Sequence, residues 1–155
     1  MIKLKDILNE IGDSSANPFN FLLTISGKNE YQYMFLTKEK QIPYYVIFKY
    51  VSKSDVWDIS FSTIGSKNGD EVINSGEMYS VMATIVKIIK DFISKKNPKK
   101  LQYSPAKNFD TDLRRAKLYD AYLKKNLNGW DVSKSGDYVV LTNPNVKPIN
   151  KKNKT

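Results

Sequence analysis

The chain has 155 residues, a formal charge of +9 and neither cysteine nor histidine. This length suits one domain whose core folds without disulfides. The composition excludes disulfides, thiolate metal sites, cysteine nucleophiles and histidine bases, and it fits a reducing compartment. Any chemistry would have to use carboxylates, tyrosines, lysines or backbone amides.

The positive charge comes from 23 lysines and only two arginines. A surface dedicated to nucleic acid usually uses more arginine, because the planar guanidinium binds phosphates and guanines bidentately. A lysine bias beside many Asn, Ile and Tyr residues instead indicates an AT-rich genome. Non-specific attraction to nucleic acid or to acidic surfaces stays open.

The N-terminal pattern predicts a short amphipathic helix over residues 2–11, which Gly12 ends. Its charged and apolar residues alternate, so no export signal is predicted, and no window reaches the roughly 20 apolar residues of a membrane span. Residues 13–18 have the composition of a loop.

Four runs rich in aromatic and β-branched residues predict strands. Short polar connections separate them, and such connections permit only antiparallel neighbours. In the fourth run, Trp57, Ile59 and Phe61 alternate with polar residues, as in a sheet with one covered face. The predicted strands of this antiparallel meander are residues 19–26, 30–37, 43–51 and 56–64.

The second half of the chain alternates helix and strand patterns. A polar loop over residues 65–76 leads into the strongest amphipathic helix. The further predicted elements are helix 77–95, strand 101–104, helix 111–127 and the hairpin strands 129–132 and 138–141.

These elements predict one α+β domain over residues 1–142. Its order is an N-terminal helix, a four-strand antiparallel meander, helix, strand, helix and a C-terminal hairpin, with helices covering one sheet. The segment 143–155 is rich in Pro, Asn and Lys, which predicts a flexible basic C-terminal tail.

This order resembles the acyl-CoA N-acyltransferase fold of the GCN5-related acetyltransferases, over about residues 56–141. The best local match is Arg115-Ala116-Lys117-Leu118-Tyr119, followed by Gly129-Trp130. The resemblance implies that Tyr119 would protonate the departing thiolate of coenzyme A. It also implies pyrophosphate binding by the loop after the fourth strand, through Gly65, Gly69 and Gly76. These glycines are spread more widely than the compact family turn, and Asp70 and Glu71 lie between them, so a plain surface loop is the alternative.

A second resemblance runs from Ser75 through Phe92 to Tyr119. It uses Gly76, the apolar run 81–86, the segment 103–106 and the Arg114/Arg115 pair before Leu118-Tyr119. These pieces resemble small proteins common in tailed-bacteriophage genomes. Together with the missing catalytic side chains and the aromatic meander, the resemblance favours a bacteriophage structural or protein-interaction protein, including a virion component, that is located in the virion or the host cytoplasm. Its partners would be other phage proteins or further copies of itself.

The candidate partner-binding residues are tyrosines of the meander and the arginine pair. Aromatic residues are enriched at protein interfaces, although core side chains with their hydroxyl tips at water are the simpler interpretation. Arg114 and Arg115 lie about 100° apart on one helix, so one of them could face a partner. The tyrosine candidates are Tyr31, Tyr33, Tyr44 and Tyr45.

We therefore favour a non-enzymatic protein with no catalytic residue, cofactor or metal. The carboxylates at Asp55, Asp58, Asp70 and Glu71 are better explained as solvated charges. The first alternative is an acetyl-CoA-dependent N-acyltransferase, in which Tyr119 would be catalytic. The second is a basic protein associated with nucleic acid.

Overall fold

The structure, a computed structural model, describes residues 17–38, 41–63, 78–104 and 113–145. These residues form an α+β fold, which confirms the predicted fold class. The strands are β1 (Phe21–Ser26), β2 (Glu30–Leu36), β3 (Pro43–Val51), β4 (Val56–Thr63), β5 (Lys100–Tyr103), β6 (Asp131–Ser135) and β7 (Tyr138–Thr142), and the helices are α1 (Met78–Lys96) and α2 (Leu113–Asn126). The helix predicted over residues 2–11, the loop 65–76 and the tail from residue 146 lie outside the described residues.

All seven strands join one mixed sheet in the order β1-β2-β3-β4-β5-β7-β6. Strands β1 to β4 pair antiparallel in sequence order. Strand β4 then pairs in parallel with β5, after the crossover that contains α1, and β7 lies antiparallel between β5 and β6. The sheet is therefore mixed and does not end at β4, as the predicted four-strand antiparallel meander does. Strand β4 has a parallel neighbour, β5, that is distant in sequence and that short connections do not reveal.

One face of the sheet is covered by α1. Strand residues alternate between the two faces, so the buried Tyr33 and Phe35 of β2 lie on the same face. Helix α1 buries Ile85, Ile88, Ile89 and Phe92, which recur every three or four residues. The ring of Phe92 stacks on Phe48 of β3, with 4.0 Å between the centroids. This stacking places α1 on the face that carries Tyr33.

Helix α2 covers the same face farther along the sheet. Trp57 and Leu101 are partners in the parallel β4–β5 pair, and both are buried. Leu123 of α2 and Leu127, directly after this helix, line a small cavity together with Leu141, the β7 partner of Leu101. We call this side of the sheet the covered face. The opposite side, which neither α1 nor α2 covers, is the open face.

The end of β7 is fixed to the turn after α1. Helix α1 ends before Asn97, which adopts a left-handed conformation with φ 45°. Asn143 is 3% exposed, and its backbone amide donates to the carbonyl oxygen of Lys99 at 2.9 Å. Its side-chain Nδ2 also donates to the carbonyl oxygen of Pro98 at 3.0 Å. The folded domain thus includes Asn143, which the sequence had assigned to the flexible tail.

Candidate interaction surface

A row of apolar residues crosses the open face of the first three strands. Leu22 of β1 lies opposite Met34 of β2, and Met34 lies opposite Tyr45 of β3. Because the flanking Tyr33 and Phe35 point to the covered face, Met34 and its cross-strand partners point to the open face. The row therefore lies where no described helix packs.

A second row runs beside the first. Ile25 lies opposite Gln32, and Gln32 lies opposite Ile47. Leu36 extends the same face at the end of β2. We call the apolar residues of both rows the open-face patch; its members are Leu22, Ile25, Met34, Leu36, Tyr45 and Ile47.

Exposure is greatest along β1 and at the adjoining end of β2, which together we call the exposed corner. Leu22 is 66% exposed, and Ile25 and Leu36 are each 40% exposed. Among the described residues, Val132 on β6 is the only other large apolar side chain with comparable exposure. A groove of about 530 Å³ extends from Leu22 and Leu36 around the start of β1 and the end of β2. The corner combines apolar side chains with a concave surface, a combination typical of protein contact sites.

The two edges of the sheet differ in chemistry. Strand β6 is short, exposed along its length and charged at Asp131 and Lys134. Strand β1 has the sequence FLLTIS and carries no charge. It lies within residues 14–27, the longest uncharged run of the chain. Natural sheets protect their edges with charges and bulges, and β1 has only a bulge between Leu23 and Ile25. The β1 edge is therefore the less protected of the two.

Three of the four tyrosines predicted to bind a partner lie on the covered face. Tyr33 is 0% exposed, so it cannot form a surface contact in the folded chain. The Tyr31 ring packs edge-on against Phe92 at 5.3 Å. Tyr44 stacks on Phe35 with the centroids 5.2 Å apart. These three side chains belong to or pack against the core.

Tyr45 is the exception, because it points to the open face and belongs to the patch. The sequence analysis did not single out Leu22, Ile25 or Leu36. A signal for them was present in β2, where the bulky aromatic residues Tyr33 and Phe35 occupy alternate positions. That alternation marks the covered face and leaves Leu36 and its neighbours on the other side.

Two buried tyrosines bind the carboxylates of the helices. The hydroxyl of Tyr33 donates to Oδ2 of Asp91 at 2.7 Å, and Lys95 also donates to this carboxylate. Burial, followed by the Asp91 hydrogen bond, raises the pKa of Tyr33 far above its usual value. The pKa of Asp91 lies below its usual range. Burial acts to raise this pKa, but hydrogen bonds from Lys95 and Tyr33 outweigh that effect. Tyr103 donates in the same way to Asp120, and its pKa is likewise raised by burial first.

The outer side of the helices is consequently cationic. Asp91 and Asp120 are the only acidic residues in α1 and α2, against nine lysines and arginines. Both carboxylates are held by tyrosines of the sheet. Lys87, Lys90 and Lys125 line a groove of about 210 Å³ between the two helices. We call this the cationic groove.

The parallel strands β4 and β5 are paired only near their starts. Their two paired positions are Trp57 with Leu101 and Asp58 with Gln102, and β4 continues to Thr63 without further pairing to β5. Ligands of α/β sheets bind in crevices beyond the carboxyl ends of the strands. The residues that the acyltransferase resemblance assigns to that region are Gly65, Gly69 and Gly76, which lie outside the described residues.

The remaining candidates lie on α2. Tyr119, Arg114 and Arg115 are helical residues, but their side chains are outside the part of the chain that the structure describes. Within the described ranges, no cluster of three or more acidic side chains could hold a metal ion. Neither α1 nor α2 is long and apolar enough to cross a membrane.

Comparison with known proteins identifies a family. A model described as a family of unknown function (DUF6934) matches residues 19–154, which includes every described element from β1 to β7. No curated protein matches the chain, and no solved structure matches it.

Proposed function

We propose that this chain, which belongs to the DUF6934 family of unknown function, acts without catalysis by binding another protein through the open-face patch. The observation that carries the proposal is the clustering of Leu22, Ile25 and Leu36, all at least 40% exposed, at one corner of the sheet. Burial of apolar surface contributes about 25 cal/mol per Å². A partner that covers this corner would therefore gain affinity from side chains that the described fold leaves in water.

The composition of the patch suits a protein partner. Met34 and Tyr45 are cross-strand partners within it, and Tyr and Met are enriched in the cores of protein interfaces. A charged row of Glu30 on β2, Lys49 on β3 and Asp58 on β4 crosses the same open face beside the patch. An apolar centre with charged residues at its margin is the usual arrangement of a specific interface.

The biological setting of this contact rests on resemblance alone. The similarity of residues 75–119 to tailed-bacteriophage proteins supports a structural or assembly role, with the chain as a virion component. The partner would then be another phage protein or a further copy of the chain.

The proposal is tested by purifying a tagged chain from the cells that naturally make it. Leu22→Lys places a charge in the patch, whereas Val132→Lys places the same charge on a similarly exposed apolar residue of β6. We expect a protein to co-purify in fixed ratio with the wild type and with Val132→Lys. It should be lost with Leu22→Lys. Equal recovery with both variants would contradict a role for the patch.

A second candidate, an acetyl-CoA-dependent N-acyltransferase, is supported by the β4–α1–β5 unit. Its two strands are parallel and lose their pairing after Asp58 and Gln102. A ligand in a crevice at their carboxyl ends would lie near the loop that contains Gly65, Gly69 and Gly76. In this alternative, Tyr119 of α2 would act as the general acid that the family resemblance implies.

A third candidate, association with nucleic acid, is supported by the cationic groove. Lys87, Lys90 and Lys125 could neutralise backbone phosphates without reading sequence. Such binding would weaken steeply with salt, whereas binding through the open-face patch would not. Filter binding of nucleic acid at two salt concentrations tests this candidate: retention should fall steeply at the higher concentration.

A further inference from the structure

We propose that β1 pairs antiparallel with β1 of a second copy, so that the two sheets form one continuous sheet across a two-fold axis. The inference deepens the proposed function and rests on it, because it names a second copy as a partner of the same corner of the sheet. The partner strand would lie along the outer edge of β1 and flank the exposed Leu22 and Ile25.

The backbone of β1 provides the bonding groups. Among the described strands, β1 pairs only with β2 and therefore has one unpaired edge. Unpaired amide and carbonyl groups at a sheet edge are a template for a further strand. Added strands gain affinity from these main-chain hydrogen bonds, and alternate side chains supply specificity.

The absence of charge on β1 favours a second copy as the occupant. Two chains of charge +9 repel each other over most of their surfaces. Pairing β1 with itself brings together two segments without a single charged residue. The partner would join at the sheet edge. Lys87 of α1 lies over the ring of Phe21 on the covered face, 5.9 Å from its centroid, whereas Lys90 and Lys125 line the groove between the two helices. The β1 edge is thus where a second copy meets the least repulsion.

Symmetry distinguishes β1–β1 pairing from the alternative in which β1 of one copy pairs with β6 of another. A two-fold axis perpendicular to the sheet uses the same strand from both copies and gives a closed dimer. Pairing β1 with β6 would instead be head-to-tail and could extend without limit. It would also place Asp131 and Lys134 beside the apolar β1. The β1–β1 contact is the closed arrangement.

The dimer would place the two open-face patches side by side. A perpendicular two-fold axis keeps both open faces on the same side of the continuous sheet. Leu22 and Ile25 of each copy would then approach those of the other. The bulge between Leu23 and Ile25 disturbs the ladder and limits the regular pairing to a short stretch. We therefore expect a reversible dimer rather than a permanent one.

Sedimentation equilibrium of the purified chain tests the inference. The wild type should show a concentration-dependent shift from 17.8 kDa towards twice that mass, with dimer present at about 0.1 mM, as expected of a small interface. Leu22→Lys should weaken dimerisation at least tenfold, because it brings like charges together at the contact. Val132→Lys on β6 should leave it unchanged. Equal melting temperatures would show that both variants are folded.

A charge-exchange experiment makes the test specific for self-pairing. Leu22→Lys and Leu22→Glu should each be impaired alone, while an equimolar mixture should restore the dimer. A wild type that stays monomeric, a dimer that persists in Leu22→Lys, or a mixture that restores nothing would overturn β1 self-pairing. The wild type could be monomeric in sedimentation while Leu22→Lys abolishes recovery of the co-purifying protein. In that case β1 self-pairing is wrong and the proposed function stands. If Leu22→Lys keeps that protein, the proposed function fails.

Discussion

The buried hydroxyl of Tyr33 donates a 2.7 Å hydrogen bond to Oδ2 of Asp91, which joins the second strand to the first described helix. Tyr103 and Asp120 join β5 to α2 in the same way. Each pair directs the only carboxylate of its helix towards the sheet. The outer side of the helices is therefore left cationic, while the apolar exposed corner lies on the opposite side of the sheet. The molecule thus presents two surfaces of different chemistry.

Tyr33→Phe should lower the free energy of unfolding by about 1–2 kcal/mol, because it removes a buried hydrogen bond to a charged group. The ring keeps its contact with Phe48, whose centroid is 5.8 Å away. Tyr45→Phe on the open face is the matched control and should change stability by less than about 0.5 kcal/mol. Urea denaturation measures both. Equal losses would show that the Tyr33–Asp91 bond does not stabilise the fold.

Alkaline pH should destabilise the chain through the same two tyrosines. Burial, followed by the hydrogen bonds to Asp91 and Asp120, raises the pKa of Tyr33 and Tyr103 in the folded state. In the unfolded chain both titrate near pH 10. The two tyrosines therefore contribute fully to the free energy of unfolding below about pH 10. This contribution is lost as pH rises, because only the unfolded state readily releases these protons.

The check is the free energy of unfolding of the wild type and of the Tyr33→Phe/Tyr103→Phe double variant, measured from pH 8 to pH 11.5. The double variant should lose less stability with rising pH than the wild type does. Parallel curves would mean that other groups cause the alkaline loss.

Acetyl-CoA should not stabilise the chain. A ligand raises the melting temperature only by binding the native state. The segment between Gly65 and Gly76 contains the acidic Asp70 and Glu71, which would repel a pyrophosphate. We therefore expect an unchanged melting temperature at millimolar acetyl-CoA. A rise of several degrees would favour the acyltransferase alternative, and a Tyr119→Phe variant with intact binding but no acetyl transfer would then establish it.

The locally determined features could be predicted from the sequence. The strand β3 follows from its enrichment in β-branched and aromatic residues. The helix α1 follows from apolar residues at every third or fourth position. The β4–β5 pair could not be predicted in this way, because Trp57 and Leu101 are far apart in sequence and their pairing leaves no local pattern.

The candidate site was harder to predict than the fold. The aromatic residues on both faces of β3 do not show which face the helices will cover, so Tyr44 and Tyr45 looked equivalent. The packing of Phe92 on Phe48 distinguishes them, because it places α1 on the side of Tyr44. The exposure of Leu22 depends on the same choice of face. Asn143 looked like tail because its partners are turn carbonyls more than forty positions earlier.

Site-specific photocrosslinking in the cells that naturally make the chain tests the central claim most directly. A benzophenone amino acid would replace Leu22 in one sample and Val132 in another, since both positions are exposed and apolar. The account predicts a discrete covalent adduct with a protein at position 22 and none at position 132. The absence of an adduct at position 22, or equal adducts at both positions, would contradict it.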